Sequence, residues 1–327
     1  MLDLPHIKFL QKYKKLLIVG VCPPPLGGVS VHVYRLNKLL SNSEIYDISK
    51  KGILQLLNFI NLFFKLIFSD FDAVHIHSID KYTLNIVYFA SKIRTFNIIV
   101  TDHNPRTFIN KSESQQKIYR KIVAKLDAII LVGDHVLKNY ESQNVTLPST
   151  IFVEPAFLPP PLIEKEKIVK TYPNDLQNFI EKHDYIISAN AFQLAMFNNQ
   201  DLYGLDMCVN LMKDLKGKNV GFIFALANDD FNKTYLSEQL KRIADNNLNE
   251  HFFMLKGQRE IWPLFENVDL LVRPTNTDGD AVSIKEALHF NCKVIASDVC
   301  KRPNNVILFN TRDQEDFNKK CLELIKS

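Results

Sequence analysis

The segment from Leu271 to Val299, LVRPTNTDGDAVSIKEALHFNCKVIASDV, combines acidic side chains with a predicted change from strand to helix. Its apolar start predicts a strand that ends at Pro274, and TNTDGD predicts a turn-rich loop. A helix then begins near Ala281, with Asp280 as its N-cap. Because the first N–H groups of a helix have no intrahelical partner, this helix start suits a diphosphate.

Two carboxylates flank the predicted helix start. Asp278 lies in the loop, where it could accept hydrogen bonds from the hydroxyl groups of a sugar. Glu286 lies two turns into the helix, and helical side chains lean toward the N-terminus, so its carboxylate could reach back to a ribose. Taken as isolated acids, the two residues are more simply a turn residue and a solvated helix carboxylate.

A second candidate segment is PPPLGGVSVHV, Pro23 to Val33, which follows the first predicted strand. Gly27 and Gly28 would let a ligand approach the backbone closely, and a helix from about Ser30 would point its N–H groups at a phosphate or a sugar. A structural turn would need the same glycines. The chain has neither GxGxxG nor GK[ST] here, which counts against NAD binding and against an ATPase.

Two histidines close predicted strands of the first half. His77 ends AVHIH and His103 follows NIIVTD. A lone histidine beside a strand is usually a hydrogen-bonded structural residue. Two of them at the same sheet edge as the glycine pair favour a functional site.

The elements that must position these residues follow from short apolar runs that alternate with helical patterns. The predicted strands are residues 16–21, 73–77, 97–102, 128–133 and 150–154 in the first half, and 185–190, 220–226, 252–257, 270–274 and 293–297 in the second. Strands separated by helices predict βαβ units, so the fold class is α/β, with a doubly wound parallel sheet in each half. In such sheets ligands bind beyond the carboxyl ends of the strands.

A proline-rich segment separates the two halves. Residues 155–174, PAFLPPPLIEKEKIVKTYPN, contain five of the 14 prolines and have no clear period. We therefore predict a first domain at 1–155, a linker at 156–174 and a second domain at 175–327.

The composition narrows the class of partner. There are 40 basic and 36 acidic side chains, a net charge of +4, which is too small to predict nucleic-acid binding. The five cysteines lack paired spacing, which favours a reducing cytoplasm, and the N-terminal residues do not have the pattern of a signal peptide. The apolar run 53–68 is shorter than the roughly 20 residues of a membrane span. It predicts a core helix, or a helix that also presents apolar side chains to a membrane surface.

In their order and spacing these segments resemble the retaining GT-B glycosyltransferases of the group 1, family 4 type. The signature of that family is E-x7-E, then A-[ML], then a strand that ends in A-S. Here Asp278-x7-Glu286 is followed by Ala287-Leu288 and by VIAS at 294–297, with Asp in place of the first Glu. The resemblance includes PPPLGGVSVHV, DAVHIHS, TDH and LVGDHVLKNY, and it covers nearly the whole chain.

The resemblance implies two Rossmann-like domains that face a central cleft, and transfer of a sugar from a nucleoside diphosphate donor with retention of configuration. A UDP-sugar is the favoured donor, and no cofactor is implied. Glu286 would hold the ribose, Asp278 the donor sugar, and the backbone from Gly279 to Ala281 the diphosphate. His103 would lie near the anomeric centre, and Gly28 would approach the donor or acceptor from the opposite domain.

One departure concerns the diphosphate. The family normally places an Arg and a Lys after the first strand of the second domain, but residues 188–206, SANAFQLAMFNNQDLYGLD, contain no cation. The candidates to replace them are Arg273, Lys256, Arg259 and Lys285. We favour Arg273, because it ends the strand that leads into the TNTDGD loop and its guanidinium could bind two phosphate oxygens. A structural salt bridge is an equal alternative for this residue.

Two D-x-D matches raise the question of a metal, because this pattern binds Mn²⁺ or Mg²⁺ in another glycosyltransferase fold. Asp70-x-Asp72 precedes a strand, at the wrong end of the sheet, and Asp278-x-Asp280 is accounted for at the helix start. The sequence offers no His/Asp cluster with ligand spacing. We therefore predict no catalytic metal.

The expected function is that of a metal-independent hexosyltransferase in bacterial surface polysaccharide synthesis, peripheral at the inner face of the cytoplasmic membrane. Its expected partners are a nucleotide-sugar, a glycan or lipid-linked oligosaccharide acceptor and a membrane surface. One alternative is a sugar-nucleotide 2-epimerase, which shares the architecture but needs acid and base carboxylates that the sequence does not identify. The other is a degenerate GT-B subunit that binds a partner, favoured by the missing Arg and Lys and opposed by the retained DGD…E segment.

Overall fold

A computed structural model describes residues 4–49, 52–77, 80–103, 112–278 and 281–325. The chain divides into two compact units at Leu158 and Pro159, inside the proline-rich segment. Within that segment residues Leu162–Glu164 form a 3₁₀ turn and Lys165–Val169 a short helix, α7, so the predicted linker is partly helical. Each unit has its own sheet and its own hydrophobic core.

The first unit is an α/β sandwich around a parallel sheet, with six strands among its described residues in the order β2-β1-β3-β4-β5-β6. Its strands are β1 (Leu16–Gly20), β2 (Ser43–Asp47), β3 (Ala73–Ile76), β4 (Asn97–Asp102), β5 (Ala128–Leu131) and β6 (Ile151–Val153). Its helices are α1 (Pro5–Leu10), α2 (Gly28–Leu39), α3 (Ile53–Phe68), α4 (Lys81–Ile93), α5 (Glu113–Val123) and α6 (Asp134–Ser142).

The second unit repeats this plan with the strand order β11-β10-β7-β12-β13-β14. Its strands are β7 (Tyr185–Gln193), β8 (Met196–Phe197), β9 (Gln200–Asp201), β10 (Val220–Asn228), β11 (Phe252–Lys256), β12 (Leu270–Arg273), β13 (Lys293–Ser297) and β14 (Ile307–Phe309). Its helices after α7 are α8 (Asn174–Lys182), α9 (Leu205–Asp214), α10 (Lys233–Asp245), α11 (Val282–His289) and α12 (Gln314–Ile325), with a 3₁₀ turn at Trp262–Glu266. Strands β8 and β9 form a separate antiparallel pair.

Both faces of each sheet are covered, which explains why the strands are continuous apolar runs. Successive side chains of β1 enter opposite cores: Leu17 and Val19 pack in one cluster, Leu16 and Ile18 in the other. In the second unit Leu270 and Val272 of β12 pack on one side of the sheet and Leu271 on the other. The predicted doubly wound α/β fold is therefore confirmed in both halves.

All ten predicted strands are present, and four further strands were missed. Strand β2, at the edge of the first sheet, has only exposed or half-buried side chains, and β14, at the edge of the second, has three residues of which only Phe309 is buried. Strands β8 and β9 have two residues each. These strands contain no long buried run that would mark them in the sequence. Two helix starts were also misplaced. Helix α2 begins at Gly28 rather than near Ser30, and the N-cap of α11 is Ala281, in an extended conformation, rather than Asp280, which lies outside the described residues.

The apolar helix α3 packs on the sheet through one face only. Asn58, Leu62 and Leu66 are its buried residues, whereas Ile53, Leu56 and eight other apolar side chains of α3 are exposed or half-buried. Interpretation as a core helix alone is therefore wrong, because apolar residues also cover the outward face. In the part of the chain that the structure describes, each helix is too short or too polar to cross a bilayer.

Candidate functional site

Each sheet has a switch point, where the direction of strand addition reverses and a crevice opens beyond the carboxyl ends of two neighbouring strands. In the first unit these strands are β1 and β3, and in the second they are β7 and β12. The predicted site residues follow these strands or their neighbours. They form two groups, one in each unit.

The group in the second unit is built around the carboxylate of Asp278. Arg273, the last residue of β12, binds it with two parallel hydrogen bonds: Nε donates to Oδ2 at 3.0 Å and Nη2 donates to Oδ1 at 3.0 Å. Its remaining Nη1 donates to the backbone oxygen of Asn190 on β7, at 3.2 Å. Arg273 therefore joins the two switch-point strands and fixes the loop between β12 and α11.

Arg302, which sequence reasoning did not identify, binds the same carboxylate. Its Nη1 donates to Asp278 Oδ2 at 2.9 Å, and its Nε donates to the backbone oxygen of Ser297, at the end of β13, at 3.2 Å. Its side chain is only 2% exposed. Arg302 could have been identified from its position in the loop after β13, because ligand-binding residues of this fold lie beyond the carboxyl ends of the strands.

The three side chains form a buried Arg–Asp–Arg cluster, defined here as Arg273, Asp278 and Arg302. Burial alone would raise the pKa of the Asp278 carboxyl, but the hydrogen bonds and charges of the two arginines outweigh it and lower the pKa below its usual value. Two guanidinium groups share one carboxylate, so the cluster keeps one net positive charge. A bound anion would lower the desolvation cost of that charge.

A glycine fixes the neighbourhood of this cluster. Gly204, at the N-cap of α9, has φ of +70°, and a Cβ there would lie 2.4 Å from the backbone oxygen of Pro274. Residue 204 must therefore be glycine for the start of α9 to pack against the chain directly after Arg273. This contact keeps the cation-free segment 188–206 close to the arginine cluster.

Glu286 lies in α11 and is only 6% exposed. The expectation of a solvated carboxylate on the helix surface is therefore wrong. Burial raises the pKa of the nearby Tyr172; the charge of Arg259 opposes this rise, and the charges of Glu260 and Glu286 add to it. A buried carboxylate needs hydrogen-bond partners, which gives this residue a structural role as well.

The other predicted cations are arranged differently from Arg273. Lys256, at the end of β11, is 44% exposed, and its Nζ lies 3.9 Å from Asp229. Arg259 donates to the backbone oxygens of Thr171 and Lys256, which occupies its guanidinium within the fold. Lys285 is half-buried on α11. Of the predicted diphosphate-binding backbone, Ala281 is the N-cap of α11, while Gly279 and Asp280 lie outside the described residues.

The group in the first unit begins with the glycine pair. Gly27 is the N-cap of α2, and the hydroxyl of Ser30 donates to the backbone oxygens of Pro25 and Gly27, at 2.6 and 3.1 Å, which closes the turn. Gly27 has an extended backbone that any residue adopts. Among the described residues, a Cβ at Gly27 would meet only the Ser30 hydroxyl, at 3.8 Å. The described fold thus leaves open space at Gly27, as close approach of a ligand requires.

Three histidines lie beside this loop and form the histidine cluster, His32, His77 and His103. Their nearest ring nitrogens all lie within 4.8 Å of one another, and Nδ1 of His77 lies 3.2 Å from Nε2 of His103. The premise that the chain has no cluster with ligand spacing is therefore wrong. It failed because His32 is on helix α2, and only folding brings it beside the two strand ends.

The histidine cluster is neutral at physiological pH. Burial lowers the pKa of His32 to about 4, and it lowers the pKa values of His77 and His103 well below 6.5, with nearby imidazoles adding to the effect. Nδ1 of His32 lies 2.6 Å from the backbone oxygen of Ala156, which fixes the ring. Beside His103, the Asp102 carboxylate accepts a 2.8 Å hydrogen bond from the Tyr140 hydroxyl. The cluster is thus a rigid set of neutral imidazoles.

Comparison with known proteins identifies the fold. Residues 194–327 match the family model described as "Glycosyl transferases group 1". A search of curated protein sequences finds no significant match. Among solved structures, Anabaena HepE in complex with UDP is similar, with a TM-score of 0.64 and 12% identity over 95% of this chain and 90% of that one.

Two further structures give the same result. A glycosyltransferase from Rickettsia africae has a TM-score of 0.65 and 16% identity over 96% of this chain and 89% of that one. Sucrose-phosphate synthase from Thermosynechococcus elongatus has a TM-score of 0.64 and 12% identity over 96% of this chain and 90% of that one. The resemblance to the GT-B glycosyltransferases is thereby confirmed: residues 194–327 match the family model, and the chain has the GT-B fold of the similar structures.

Proposed function

We propose that this protein transfers a sugar from a UDP-sugar to a glycan acceptor, with retention of the anomeric configuration. The observation that carries the proposal is the Arg–Asp–Arg cluster. It provides a buried net positive charge at the switch point of the unit that matches the glycosyltransferase family model. Similar solved structures contain UDP, UDP-glucose and UDP-2-fluoro glucose, which supports a UDP-sugar as the donor.

The Arg–Asp–Arg cluster can supply the positive charge for a diphosphate that the cation-free segment 188–206 lacks. A diphosphate brings roughly two negative charges into a site of lowered dielectric, and leaving them unpaired would cost several kcal/mol. The N–H groups at the start of α11 would offset part of this, since a helix dipole contributes about 0.3–1 kcal/mol and up to about 2 in buried geometry. Arg273 and Arg302 supply the remaining positive charge, with Lys256 as a more exposed contributor at the end of β11.

The reaction is a substitution at the anomeric carbon. The bond from that carbon to the diphosphate oxygen breaks, and a bond to the acceptor hydroxyl oxygen forms on the same face. The hydroxyl proton passes to the departing diphosphate. Fixed N–H groups and cations that stabilise the charge developing on the leaving group supply most of the rate acceleration in such a step.

The remaining roles are those that the resemblance to the GT-B glycosyltransferases implies. Glu286 holds the ribose, and Asp278, once oriented by the arginines, accepts hydrogen bonds from the donor sugar. His103 lies near the anomeric carbon as a neutral imidazole. Gly27, with open space beside it, and Gly28, the first residue of α2, allow close approach of donor or acceptor.

Transfer in this proposal needs no metal. Asp278 is committed to two cations, and a carboxylate so paired is a poor ligand for a further one. In the other D-x-D match, Asp72 accepts hydrogen bonds from the backbone N–H groups of Lys14 and Lys15, and Asp70 pairs with the Lys15 side chain. These acids are structural.

The acceptor is proposed to be lipid-linked, as in the synthesis of bacterial surface polysaccharides at the inner face of the cytoplasmic membrane. The support is the outward apolar face of α3, because an enzyme that meets a lipid-linked glycan must work at a bilayer surface. This part of the proposal is independent of the donor chemistry.

The purified protein would be incubated with a panel of UDP- and GDP-sugars, while thermal stability, nucleotide release and the anomeric configuration of any product are recorded. The proposal predicts that UDP and one UDP-sugar raise the melting temperature, and that UDP is released only when an acceptor glycan is present. Interconversion of the sugar without an acceptor would indicate the epimerase. If no nucleotide raised the melting temperature, the result would favour the alternative of a degenerate GT-B subunit that binds a partner.

A further inference from the structure

Helices α3 and α4 carry ten of the large apolar side chains that are exposed among the described residues. The two helices pack side by side, and between them runs a groove of about 850 Å³. It is lined mainly by aromatic and aliphatic side chains, among them Leu56, Phe59, Phe64, Tyr82, Phe89 and Ile93. We name this surface, residues 53–68 and 81–93 with the groove between them, the α3–α4 face.

The exposure of this face is unusual for a helix pair on an α/β sheet. Phe68 is 79% exposed, Leu56 63%, Ile93 64% and Phe89 55%. Ordinarily the outward side of such helices is polar. Helix α5, next to α4, follows the rule with outward Glu, Gln and Lys residues in the sequence ESQQKIYRKIV. A contiguous apolar patch of this kind marks an interaction surface.

The charges of the face are of one sign. Residues 53–68 and 81–93 contain no Asp or Glu. Of their described lysines, Lys65 pairs with Glu44 of β2, and Lys92 lies beside the groove. At the edge of the groove, Nζ of Lys92 lies 4.6 Å from the Tyr88 ring centroid, and Nζ of Lys125 lies 5.3 Å from it. Apolar rings with lysines at the margin are the pattern of a helix that lies in a membrane interface, where the lysine stems cross the apolar layer and the ammonium groups reach the headgroups.

We propose that the α3–α4 face binds the surface of a bilayer that contains anionic lipids, with the groove taking up hydrocarbon chains. The positive charge of the α3–α4 face favours an anionic bilayer over a second copy of the chain as the occupant. A two-fold interface places the same patch on both partners, so the lysines would meet lysines, with no acid on either helix to compensate. Anionic headgroups supply the missing charge, and each lysine near such a surface adds about fivefold to the binding constant.

This inference rests on the proposed function for its biological reason, since a lipid-linked acceptor is met at a membrane. It adds to that function the surface, the orienting helices and the lipid chemistry. Helix α3 would lie in the plane of the interface, because its other face remains packed on the sheet through Leu62 and Leu66.

The test is co-sedimentation of the full chain with vesicles of phosphatidylcholine and phosphatidylglycerol in equal amounts, compared with pure phosphatidylcholine. The test variant is Leu56→Gln/Phe64→Gln/Phe89→Gln, three side chains that are more than half exposed. The matched control is Ile163→Gln/Phe231→Gln/Leu308→Gln, exposed apolar residues of the second unit. For charge, Lys92→Gln is compared with Lys241→Gln, an exposed lysine elsewhere.

Wild type and both control variants are expected to bind the anionic vesicles, and the triple variant of the face to lose roughly tenfold or more of the partition coefficient. Lys92→Gln is expected to lose about fivefold at low salt and little at high salt. Equal binding by the triple variant and wild type would overturn the proposal. The proposal would also be overturned if wild type did not bind vesicles but formed a dimer that the triple variant could not form. That result would identify a second copy of the chain as the occupant.

UDP binding without vesicles separates the two proposals. Retained UDP binding with no vesicle binding would reject the membrane surface alone. Vesicle binding that depends on the face, with no UDP binding, would reject glycosyl transfer alone.

Discussion

The two units share one fold plan but collect opposite kinds of polar group at their switch points. The first unit has three neutral imidazoles, His32, His77 and His103, of which the first two are buried and the third is half-buried, and desolvation lowers the pKa of each ring. The second has permanent charges, Arg273 and Arg302 on Asp278. The difference shows that the fold determines where a site forms, whereas the residues in the loops determine its chemical character. In the proposed function the second unit binds a diphosphate, which needs fixed cations, and the first unit places an uncharged ring near the reacting carbon.

The largest expected effect comes from breaking the charged cluster. Asp278→Asn leaves two buried guanidinium groups without their shared carboxylate, and removal of one partner from a buried ion pair costs about 3–5 kcal/mol. We expect a loss of that order in the free energy of unfolding, measured by urea denaturation with Trp262, a fully buried side chain of the second unit, as the fluorescent reporter. Asp230→Asn, which removes an exposed ion pair with Lys233, is the control and is expected to change nothing measurable. A loss below about 1 kcal/mol, the range of surface pairs, would mean that the cluster is not a structural unit.

Acid should distinguish the two units. The histidines of the first unit have folded pKa values lowered from 6.5, so below about pH 6.5 the unfolded chain binds more protons and stability falls. Each such group costs up to about 1.4 kcal/mol for each pH unit of its shift. Asp278 is an acid, so its lowered pKa means that the folded state favours the charged carboxylate. Its contribution to the free energy of unfolding is therefore lost only as the pH falls below about 3.8.

Urea unfolding at about pH 7.5 and 5.5 would follow Trp262 fluorescence for the second unit and circular dichroism for the whole chain. The circular dichroism transition should move to lower urea at the acid pH and separate from the fluorescence transition. Coincident transitions that shift equally would contradict the contrast between the units.

Substitution of Glu286 probes the donor site without removing a side chain. Glu286→Gln keeps the volume of this buried residue and removes the charge that would hold the ribose. We expect kcat/KM for the donor to fall by about 1.5–3 kcal/mol, the range for hydrogen bonds to charged groups, or roughly 10- to 150-fold. Glu181→Gln on α8, an exposed site, is the matched control. Activity within twofold of wild type would remove Glu286 from the site.

Chelation should have the smallest effect. Because Asp70, Asp72 and Asp278 are engaged by arginine, lysine or backbone N–H groups, we expect full transfer activity after EDTA treatment. The histidine cluster has nitrogens within reach of one ion, so added Zn²⁺ is the sharper part of the assay. Activity that disappears with EDTA and returns with Zn²⁺ or Mn²⁺ would mean that a metal takes part.

Local patterns in the sequence predicted most of the fold, because buried parallel strands are continuous apolar runs with turns at both ends. They failed at β2, SEIYD, an edge strand whose side chains are exposed or half-buried. They also failed at the helix starts, since a cap depends on backbone conformation: Ala281 caps α11 with no side-chain hydrogen bond.

The candidate site was predicted where its residues follow strands, and missed where folding alone brings residues together. Asp278, Arg273 and His103 all lie at strand ends, which the sequence reveals. Arg302 reaches Asp278 from 24 positions away with no motif to announce it. His32 joins the histidine cluster from helix α2, and the burial of Glu286 depends on its neighbours rather than on its own helix.

The most direct test of the central claim is calorimetric titration of UDP into wild type, Arg273→Gln, Arg302→Gln, Lys256→Gln and Lys285→Gln. Wild type is expected to bind UDP with one site, and each arginine variant to lose about 1.5–3 kcal/mol of binding free energy, since each guanidinium would contribute charged hydrogen bonds to the diphosphate. The lysine variants are expected to lose less, because Lys256 is 44% exposed and Lys285 half-buried. Absence of UDP binding by wild type, or a larger loss in either lysine variant than in both arginine variants, would contradict the assignment of the diphosphate to the Arg–Asp–Arg cluster.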